Sequence, residues 1–223
     1  MNHAQAAQSI RQFGFFPSLA DLTLRGANRM FSVRILKGLY IDRPDLAFLE
    51  CDAKYRGGFL DAAQLRDLAR DPANELSSSF LDEALAKGDR CYGFLAGDTL
   101  AAYGWYSAKP TAIDLPGLVL SFDPRWVYMY KGFTRPDHRG QRLHAIGMTR
   151  ALVALQAEGY AGIVSYVEWN NFASLRSCYR MGYRDFGTVS VAKLGGRFRF
   201  HSSAGCDAFR FRLSMADQQG ATS

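Results

Sequence analysis

Apolar positions in the second half of the chain change their spacing from one segment to the next. Residues 126–134 (WVYMYKGFT), 162–167 (GIVSYV) and 183–194 are short and rich in β-branched and aromatic residues, which predicts strands. Residues 140–158 and 171–181 instead carry apolar residues at helical spacing, and a glycine follows each segment as a stop signal. This half of the chain is therefore predicted to run strand, helix, strand, helix, strand.

The first half predicts helices between strands. Residues 30–41 are β-branched and partly alternating, so they predict a strand. Helical spacing follows over 43–70 and 74–87. Residues 90–107 hold two alternating runs separated by Gly97–Asp98, a dipeptide typical of a hairpin turn. A hairpin should therefore lie beside these helices.

The remaining segments complete the expected fold class. Residues 110–116 begin and end with proline and predict a loop, and either 197–201 or 209–213 supplies a last strand. Strands interspersed with helices in this order favour a mixed sheet with helices on both faces, an α/β (α+β) fold.

Three parts of unequal length are expected along the chain. We interpret residues 1–28 as an N-terminal extension, 29–215 as one domain and 216–223 as a flexible tail. The apolar residues of the extension, which precede a proline, are Ile10, Phe13, Phe15 and Phe16. The extension either docks on the body of the domain or touches a membrane surface, and docking is the favoured interpretation.

Composition indicates an ordinary globular protein, with 48% hydrophobic and 22% charged residues. No stretch approaches the ~18 consecutive apolar residues that span a bilayer. The N-terminal sequence MNHAQAAQSIRQFGFF lacks the basic and apolar regions of a secretory signal. We therefore expect a cytoplasmic protein, with the inner membrane surface as an alternative location.

Cysteine content and net charge further limit which kinds of site and partner are expected for this protein. The four cysteines form no C-x-x-C pair, which argues against a disulfide framework and a zinc site, so no metal is expected. The net charge of +6 favours anionic partners such as cofactor phosphates, an acidic carrier protein or anionic lipid. Nucleic-acid binding would rest on charge alone, without a recognised motif, and is not expected.

Residues 133–144 (FTRPDHRGQRLH) lead from a predicted strand through a turn into a predicted helix. The first backbone N–H groups of a helix have no partner within it and carry partial positive charge, so such a turn can hold a phosphate. Gly140 allows the backbone to approach that phosphate closely. Taken alone the signal is weak, because many turns of this kind contain glycine for steric reasons.

The same stretch resembles the acyl-CoA loop of the GNAT superfamily of N-acyltransferases, usually V-x-P-x-x-R-G-x-G-hydrophobic-G or A. The matching positions are Pro136, Arg139, Gly140 and Leu143. Residues 170–183 (NNFASLRSCYRMGY) resemble the second signature of that superfamily. Its matching positions are Asn171, Ser174, Gly182 and Tyr183. The resemblance covers residues 90–200 well, whereas 1–89 match only in helical content.

This resemblance implies a GNAT-like central mixed, mostly antiparallel sheet flanked by helices on both faces. The co-substrate would be acetyl-CoA or a longer acyl-CoA. The amides from Gly140 to His144 would hold its pyrophosphate, and the pantetheine arm would lie between two separating strands. The implied donor-binding residues are Phe133, Thr134, Arg139, Gly140, Gln141, Arg142, Leu143, His144, Asn171 and Ser174.

The loop departs from the family pattern at two positions where small residues are usual. Arg142 stands at one, where it either adds a charge-assisted bond to a phosphate or points to solvent. His144 stands at the other, where it either bonds the donor or simply begins the helix, and the second interpretation is favoured.

Candidate catalytic residues are Cys178, Tyr179 and Glu168. The family often has a tyrosine that protonates the leaving thiolate at the position of Cys178. Tyr179 is adjacent, but neighbouring residues on a helix are about 100° apart, so it would need a change of register. Cys178 is equally interpreted as a small packed residue, and water is a further alternative acid. Glu168 either binds the amine or acts as base, or caps the next helix.

The sequence thus predicts transfer of an acetyl or longer acyl group from CoA to a primary amine. One alternative is a long-chain N-acyltransferase that acts on an amino acid or an amino lipid such as a sphingoid base. Another is a non-catalytic acyl-CoA-binding sensor. The expected partners are a small-molecule or lipid amine and acyl-CoA, with an acyl carrier protein as alternative donor and peripheral membrane contact as a further alternative.

Overall fold

The computed structural model describes residues 33–194 and 197–216. The predicted extension over 1–28 lies outside the described residues, and so do 217–223 of the predicted tail. Residues 30–32 of the first predicted strand are outside as well. The proposed division into three parts therefore stays a prediction.

Eleven strands and four α-helices are present in the described ranges. The strands are β1 (Val33–Ile41), β2 (Tyr55–Leu60), β3 (Arg90–Ala96), β4 (Thr99–Ser107), β5 (Thr111–Ala112), β6 (Leu118–Ser121), β7 (Trp126–Thr134), β8 (Gly162–Glu168), β9 (Arg184–Leu194), β10 (Arg197–Ser202) and β11 (Arg212–Met215). The helices are α1 (Ala62–Leu68), α2 (Ser78–Lys87), α3 (Leu143–Ala157) and α4 (Phe172–Arg180).

Eight strands form the main sheet, in the order β10-β9-β1-β8-β7-β4-β3-β2. Every neighbouring pair is antiparallel except β7 and β8, which are parallel. The expectation of a mixed, mostly antiparallel sheet is confirmed. The hairpin turn at Gly97–Asp98 is also confirmed, because β3 ends and β4 begins on either side of it.

Helices cover both faces of this sheet, as expected. The residues Leu65 of α1 and Leu81 of α2 are buried with Trp105 of β4 on one face. On the opposite face, Ile146 of α3 and Leu175 of α4 belong to a different buried cluster. Alternate residues of each strand therefore enter separate cores, which is the consequence of a two-residue side-chain period.

A second sheet of three strands, β11-β6-β5, was not expected from the sequence. Residues 110–116 were predicted to be a loop, and β5 lies within them. A strand of two residues is too short to show any periodicity, so only its pairing with β6 reveals it. The small sheet packs on the face of the main sheet that also carries α1 and α2, where Leu118 and Leu213 contact Val164 of β8 within one buried cluster.

The predicted helix over 43–70 is wrong in most of its length. The structure has a short 3-10 turn at Leu46–Phe48, then the edge strand β2, and only then α1. Within β2, position 57 has to be glycine, because a Cβ there would lie 2.4 Å from the ring of Phe94 on β3. The apolar residues that suggested one helix therefore belong to three separate elements.

The parallel pair β7 and β8 separates soon after it begins. The two strands are in register only from Trp126 to Tyr128 on β7, opposite Gly162 to Val164 on β8. One residue further, the hydroxyl of Ser165 donates to the carbonyl of Met129 at 2.9 Å. From there β7 continues to Thr134 with β4 as its only strand neighbour in the described chain. A gap in the sheet thus opens toward the carboxyl ends of both strands.

Candidate active site

The helix α3 begins immediately beyond the open end of β7. A 3-10 turn over Pro136–His138 follows the strand, and Leu143 is the first residue of the helix. Within the described chain, none of the backbone N–H groups from Gly140 to His144 donates a hydrogen bond, and no side chain caps the helix. A helix of 15 residues therefore presents free amides and the positive end of its dipole beside the gap in the sheet.

Two residues of this loop have left-handed backbone conformations. Gly140 has φ +80°, and a Cβ built on it would meet nothing within 4 Å, so conformation and not crowding calls for glycine. Arg142 has φ +58°, although it carries a full side chain. This backbone conformation is strained for an L-residue with a side chain, whereas glycine adopts it without strain.

The side chains around the loop contact the protein in defined places. Arg139 donates through Nε to the carbonyl oxygen of Thr134 at 3.4 Å, which ties the loop to the end of β7. The guanidinium of Arg142 lies 5.8 Å from the ring centroid of Phe48. Phe133 stacks on Tyr103, with ring centroids 5.3 Å apart. Gln141 is exposed.

His144 lies against the open part of β7, and Leu143 beside it is buried in the core. A Cβ on Gly132 would be 2.8 Å from the Cε1 atom of His144, so this strand position has to be glycine for the ring to fit. Burial lowers the pKa of His144, which favours the neutral ring at neutral pH. The histidine therefore lies in the first turn of α3 and fills space beside the gap.

A cavity of about 340 Å³ lies at the carboxyl end of β8. Asn171 and Ser174 of the second signature line it together with Glu168. Asn171 is the N-cap of α4, where its Oδ1 accepts from the N–H of Ser174 at 3.1 Å. The carboxylate of Glu168 forms an ion pair with Arg34 of β1. Capping of α4 is thus performed by Asn171, whereas the Glu168 side chain faces Arg34.

Cys178 and Tyr179 lie on different sides of α4. Cys178 is half-buried against the core under the helix, and burial raises the pKa of its thiol to about 11. Tyr179 is 41% exposed. Its hydroxyl donates to Asp185 at 2.8 Å and accepts from Lys37 at 3.0 Å. Only Cys178 shares a helix face with the cavity residue Ser174, because the two are four residues apart.

Solved structures of other proteins share this arrangement at low sequence identity. An acetyltransferase from the GNAT family of Colwellia psychrerythraea aligns with a TM-score of 0.50 and 15% identity, over 82% of this chain and 63% of that one. The chain has the fold of the GNAT superfamily. A Drosophila protein aligns with a TM-score of 0.50 and 14% identity, over 82% of this chain and 58% of its own.

A GCN5-related N-acetyltransferase-like protein from Streptococcus suis aligns with a TM-score of 0.49 and 13% identity, over 82% of this chain and 68% of that one. The chain spans less than two thirds of the length of the Colwellia and Drosophila chains that it matches. A scan against protein-family models finds no match, and a search of curated proteins finds none either.

The GNAT fold of this chain places the loop and the cavity on either side of one gap. The loop approaches from the face that carries α3, whereas Leu36 and Tyr166, which line the cavity, pack with the small sheet on the opposite face. Tyr166 and Glu168 lie on β8 beyond Val164, where pairing with β7 ends. The loop and the cavity therefore lie on opposite faces of the sheet, near the point where the two strands separate.

Several residues around the candidate site carried no recognisable signal in the sequence. Arg34 and Asp114 line the cavity, yet each lies far from both signatures along the chain. Tyr128 of β7 is buried, and its ring stacks on Tyr166 with centroids 6.2 Å apart, so it packs as a sheet aromatic beneath the cavity wall.

Among the described residues, no group of three or more histidine, cysteine, aspartate or glutamate side chains is arranged to hold a metal ion. No helix within the same ranges is long and apolar enough to cross a membrane.

Proposed function

We propose that this protein is an acyl-CoA-dependent N-acyltransferase, which moves an acyl group from a CoA thioester to a primary amine. The observation that carries the proposal is the set of free amides from Gly140 to His144, placed where β7 has separated from β8. Helix N-termini bind phosphates through such amides, and the open space over Gly140 leaves room for a pyrophosphate. The pantetheine arm would then lie in the gap between the strands.

The proposed reaction needs little covalent help from the protein. The amine nitrogen, in its neutral form, attacks the thioester carbonyl carbon, the carbon–sulfur bond breaks, and the CoA sulfur leaves as a thiolate that takes up a proton. Holding donor and acceptor in one cleft supplies much of the acceleration, since the step becomes effectively unimolecular. A backbone N–H near Thr134 is proposed to polarise the thioester oxygen.

For the proton on the leaving sulfur, we favour Cys178 over Tyr179. A thiol whose pKa is raised to about 11 stays protonated at neutral pH and can donate. Tyr179 is engaged on the outer side of α4 by Lys37 and Asp185. Water remains the alternative acid. Glu168 is proposed to take the proton that a charged amine has to lose before it attacks.

The length of the acyl group is a finer question, and we propose acetyl-CoA as the first donor to test. A long-chain enzyme needs an apolar tunnel, and apolar side chains from residues 43–87 and from the Phe-rich extension are the candidates to line it. Leu65 of α1 and Leu81 of α2 are instead buried in the core, and the Phe-rich extension lies outside the described residues. Transfer of long chains to an amino acid or amino lipid, use of a carrier protein, membrane contact and the cytoplasmic location all stay predictions.

Native mass spectrometry of the purified protein, with and without added donor, tests the proposal. We expect a bound mass equal to CoA, acetyl-CoA or a longer acyl-CoA, which also names the donor. Release of free CoA thiol in the presence of an amine then separates an enzyme from a sensor. Absence of any complex with CoA or its thioesters, by mass spectrometry and by calorimetry, would refute the assignment.

A further inference from the structure

The cavity at the end of β8 carries opposite charges on one wall. The guanidinium of Arg34 and the carboxylate of Glu168 form an ion pair there, and a second carboxylate, Asp114, lines the same cavity. Leu36 and Leu115 supply apolar wall beside them. A volume of about 340 Å³ is within the range of small-molecule sites.

The ion pair is accessible and contributes little to folding. The side chains of Arg34 and Glu168 are 45% and 38% exposed, and pairs at such exposure are screened by water. The two residues come from different strands, β1 and β8, which the main sheet holds side by side. A ligand that offers one positive and one negative group can therefore replace each partner without disturbing the fold.

Resting on the N-acyltransferase function proposed above, we propose that the acceptor is a small α-amino acid bound as a zwitterion. Its carboxylate would take the fork of Arg34, which suits two parallel hydrogen bonds. Its ammonium would lie on Glu168, with Asp114 adding negative charge. One carbon separates the two groups of an α-amino acid, so they can meet two side chains that already touch each other. The apolar wall at Leu36 and Leu115 would take the side chain of the amino acid.

With the ammonium on Glu168, every proton and bond of the proposed transfer can be accounted for. The ammonium gives one proton to the carboxylate of Glu168, and the neutral nitrogen attacks the thioester carbonyl carbon. An amide bond forms as the nitrogen loses a second proton, and the carbon–sulfur bond breaks with its electron pair on sulfur. That second proton, passed on directly or through Cys178, converts the thiolate to free CoA. The products are the N-acyl amino acid, CoA and the proton that Glu168 returns to water.

A second cavity, of about 240 Å³, is lined by the exposed carboxylate of Glu83, but the cation there is tied into a network with a buried carboxylate. The buried carboxylate of Asp89 already pairs with Lys87 at 2.9 Å and accepts from the hydroxyl of Tyr130 at 2.8 Å. Lys87 also donates to Thr111 at 2.8 Å. A ligand there would have to break a buried network, whereas at Arg34 it replaces a half-exposed pair.

Matched acceptors that differ only in the carboxylate test the proposal. Glycine, alanine, leucine and phenylalanine are compared with methylamine, ethylamine, isopentylamine and phenethylamine, with release of CoA thiol from acetyl-CoA as readout. We expect at least one amino acid to exceed its amine at least tenfold in kcat/KM. Arg34→Gln should remove that preference through a higher KM, whereas Arg70→Gln, which breaks an exposed pair with Asp67 far from the cavity, should not. The melting temperatures of the wild type and the variants show whether each variant is folded. Arg34→Lys, which keeps the positive charge, is the conservative control.

The outcomes distinguish the two levels of the proposal. Equal use of both members of every pair, or an equal loss for both in Arg34→Gln, overturns the amino-acid acceptor and leaves the acyltransferase standing. If no acceptor is acylated, calorimetry with CoA decides the underlying function. If CoA binds but none of the four amino acids raises the melting temperature of the CoA complex, the acceptor proposal alone is overturned. A rise that Arg34→Gln abolishes supports it.

Discussion

Replacing Gly140 by aspartate or by asparagine separates the charge of the donor loop from its shape. The two side chains are nearly equal in size, and both tolerate the left-handed conformation of this residue better than other side chains do. A Cβ at Gly140 meets no atom within 4 Å, so neither replacement clashes with the folded protein. Any difference between the two variants therefore reports a negative charge beside the free amides.

The expected magnitude follows from the distance between that charge and a bound phosphate. Two unit charges 4 Å apart interact by about 1 kcal/mol in bulk water and by about 4 kcal/mol near a protein surface. The loop is exposed, so about 2 kcal/mol of lost binding free energy is a reasonable estimate for aspartate. That corresponds to roughly 30-fold weaker CoA binding, since 1.4 kcal/mol is about tenfold. Asparagine should cost less than about 1 kcal/mol.

Isothermal calorimetry at low and high salt measures the affinity of both variants for CoA. The gap between aspartate and asparagine should shrink as salt rises, because the screening length falls from about 10 Å at 0.1 M to about 3 Å at 1 M. Equal weakening by both variants would show that only the backbone conformation matters. If the aspartate variant bound CoA as tightly as the wild type, the loop would not be the site of CoA binding, and the proposed function would lose its basis.

Three further results are expected. Arg142→Gly should raise the free energy of unfolding by about 1 kcal/mol in urea, because it relieves a left-handed non-glycine residue; an unchanged or lower value would contradict the strain. Burial lowers the folded-state pKa of His144, so its unfolded form binds a proton first, and stability should fall as pH drops below about 6.5. In urea unfolding from pH 7.5 to 5.5, the free energy of unfolding should fall less in His144→Gln than in the wild type. An identical fall in both proteins would show that His144 is not the source of the pH dependence. Acyl-CoAs of two, eight and sixteen carbons should compete equally, because Leu65 and Leu81 are packed into the core; a steep rise with length, at ~0.8 kcal/mol per buried CH₂, would instead favour the amino-lipid alternative.

Features written into a few consecutive residues could be predicted from the sequence. The hairpin turn at Gly97–Asp98, the strand ending at Thr134 and the turn at Gly140 are local, because backbone conformation there depends on the residues themselves. The N-cap Asn171 is local as well, since its side chain bonds three residues along the chain, although capping had been considered for Glu168 instead. Both signatures are short stretches of this kind, so the fold and the proposed donor loop were within reach of sequence reasoning.

Features that depend on distant partners required the tertiary structure. The edge strand β2 was predicted as helix because only its pairing with β3 makes it a strand. Likewise, no local pattern marks the point after Tyr128 at which β7 leaves β8. Arg34 and Glu168 are 134 residues apart in the chain and meet only because β1 lies beside β8 in the sheet. The sequence by itself determined the loop that we propose for the donor, since turns and helix starts are set by neighbours. The cavity that we propose for the acceptor was decided by packing, since its charges come from strands that only the folded sheet brings together.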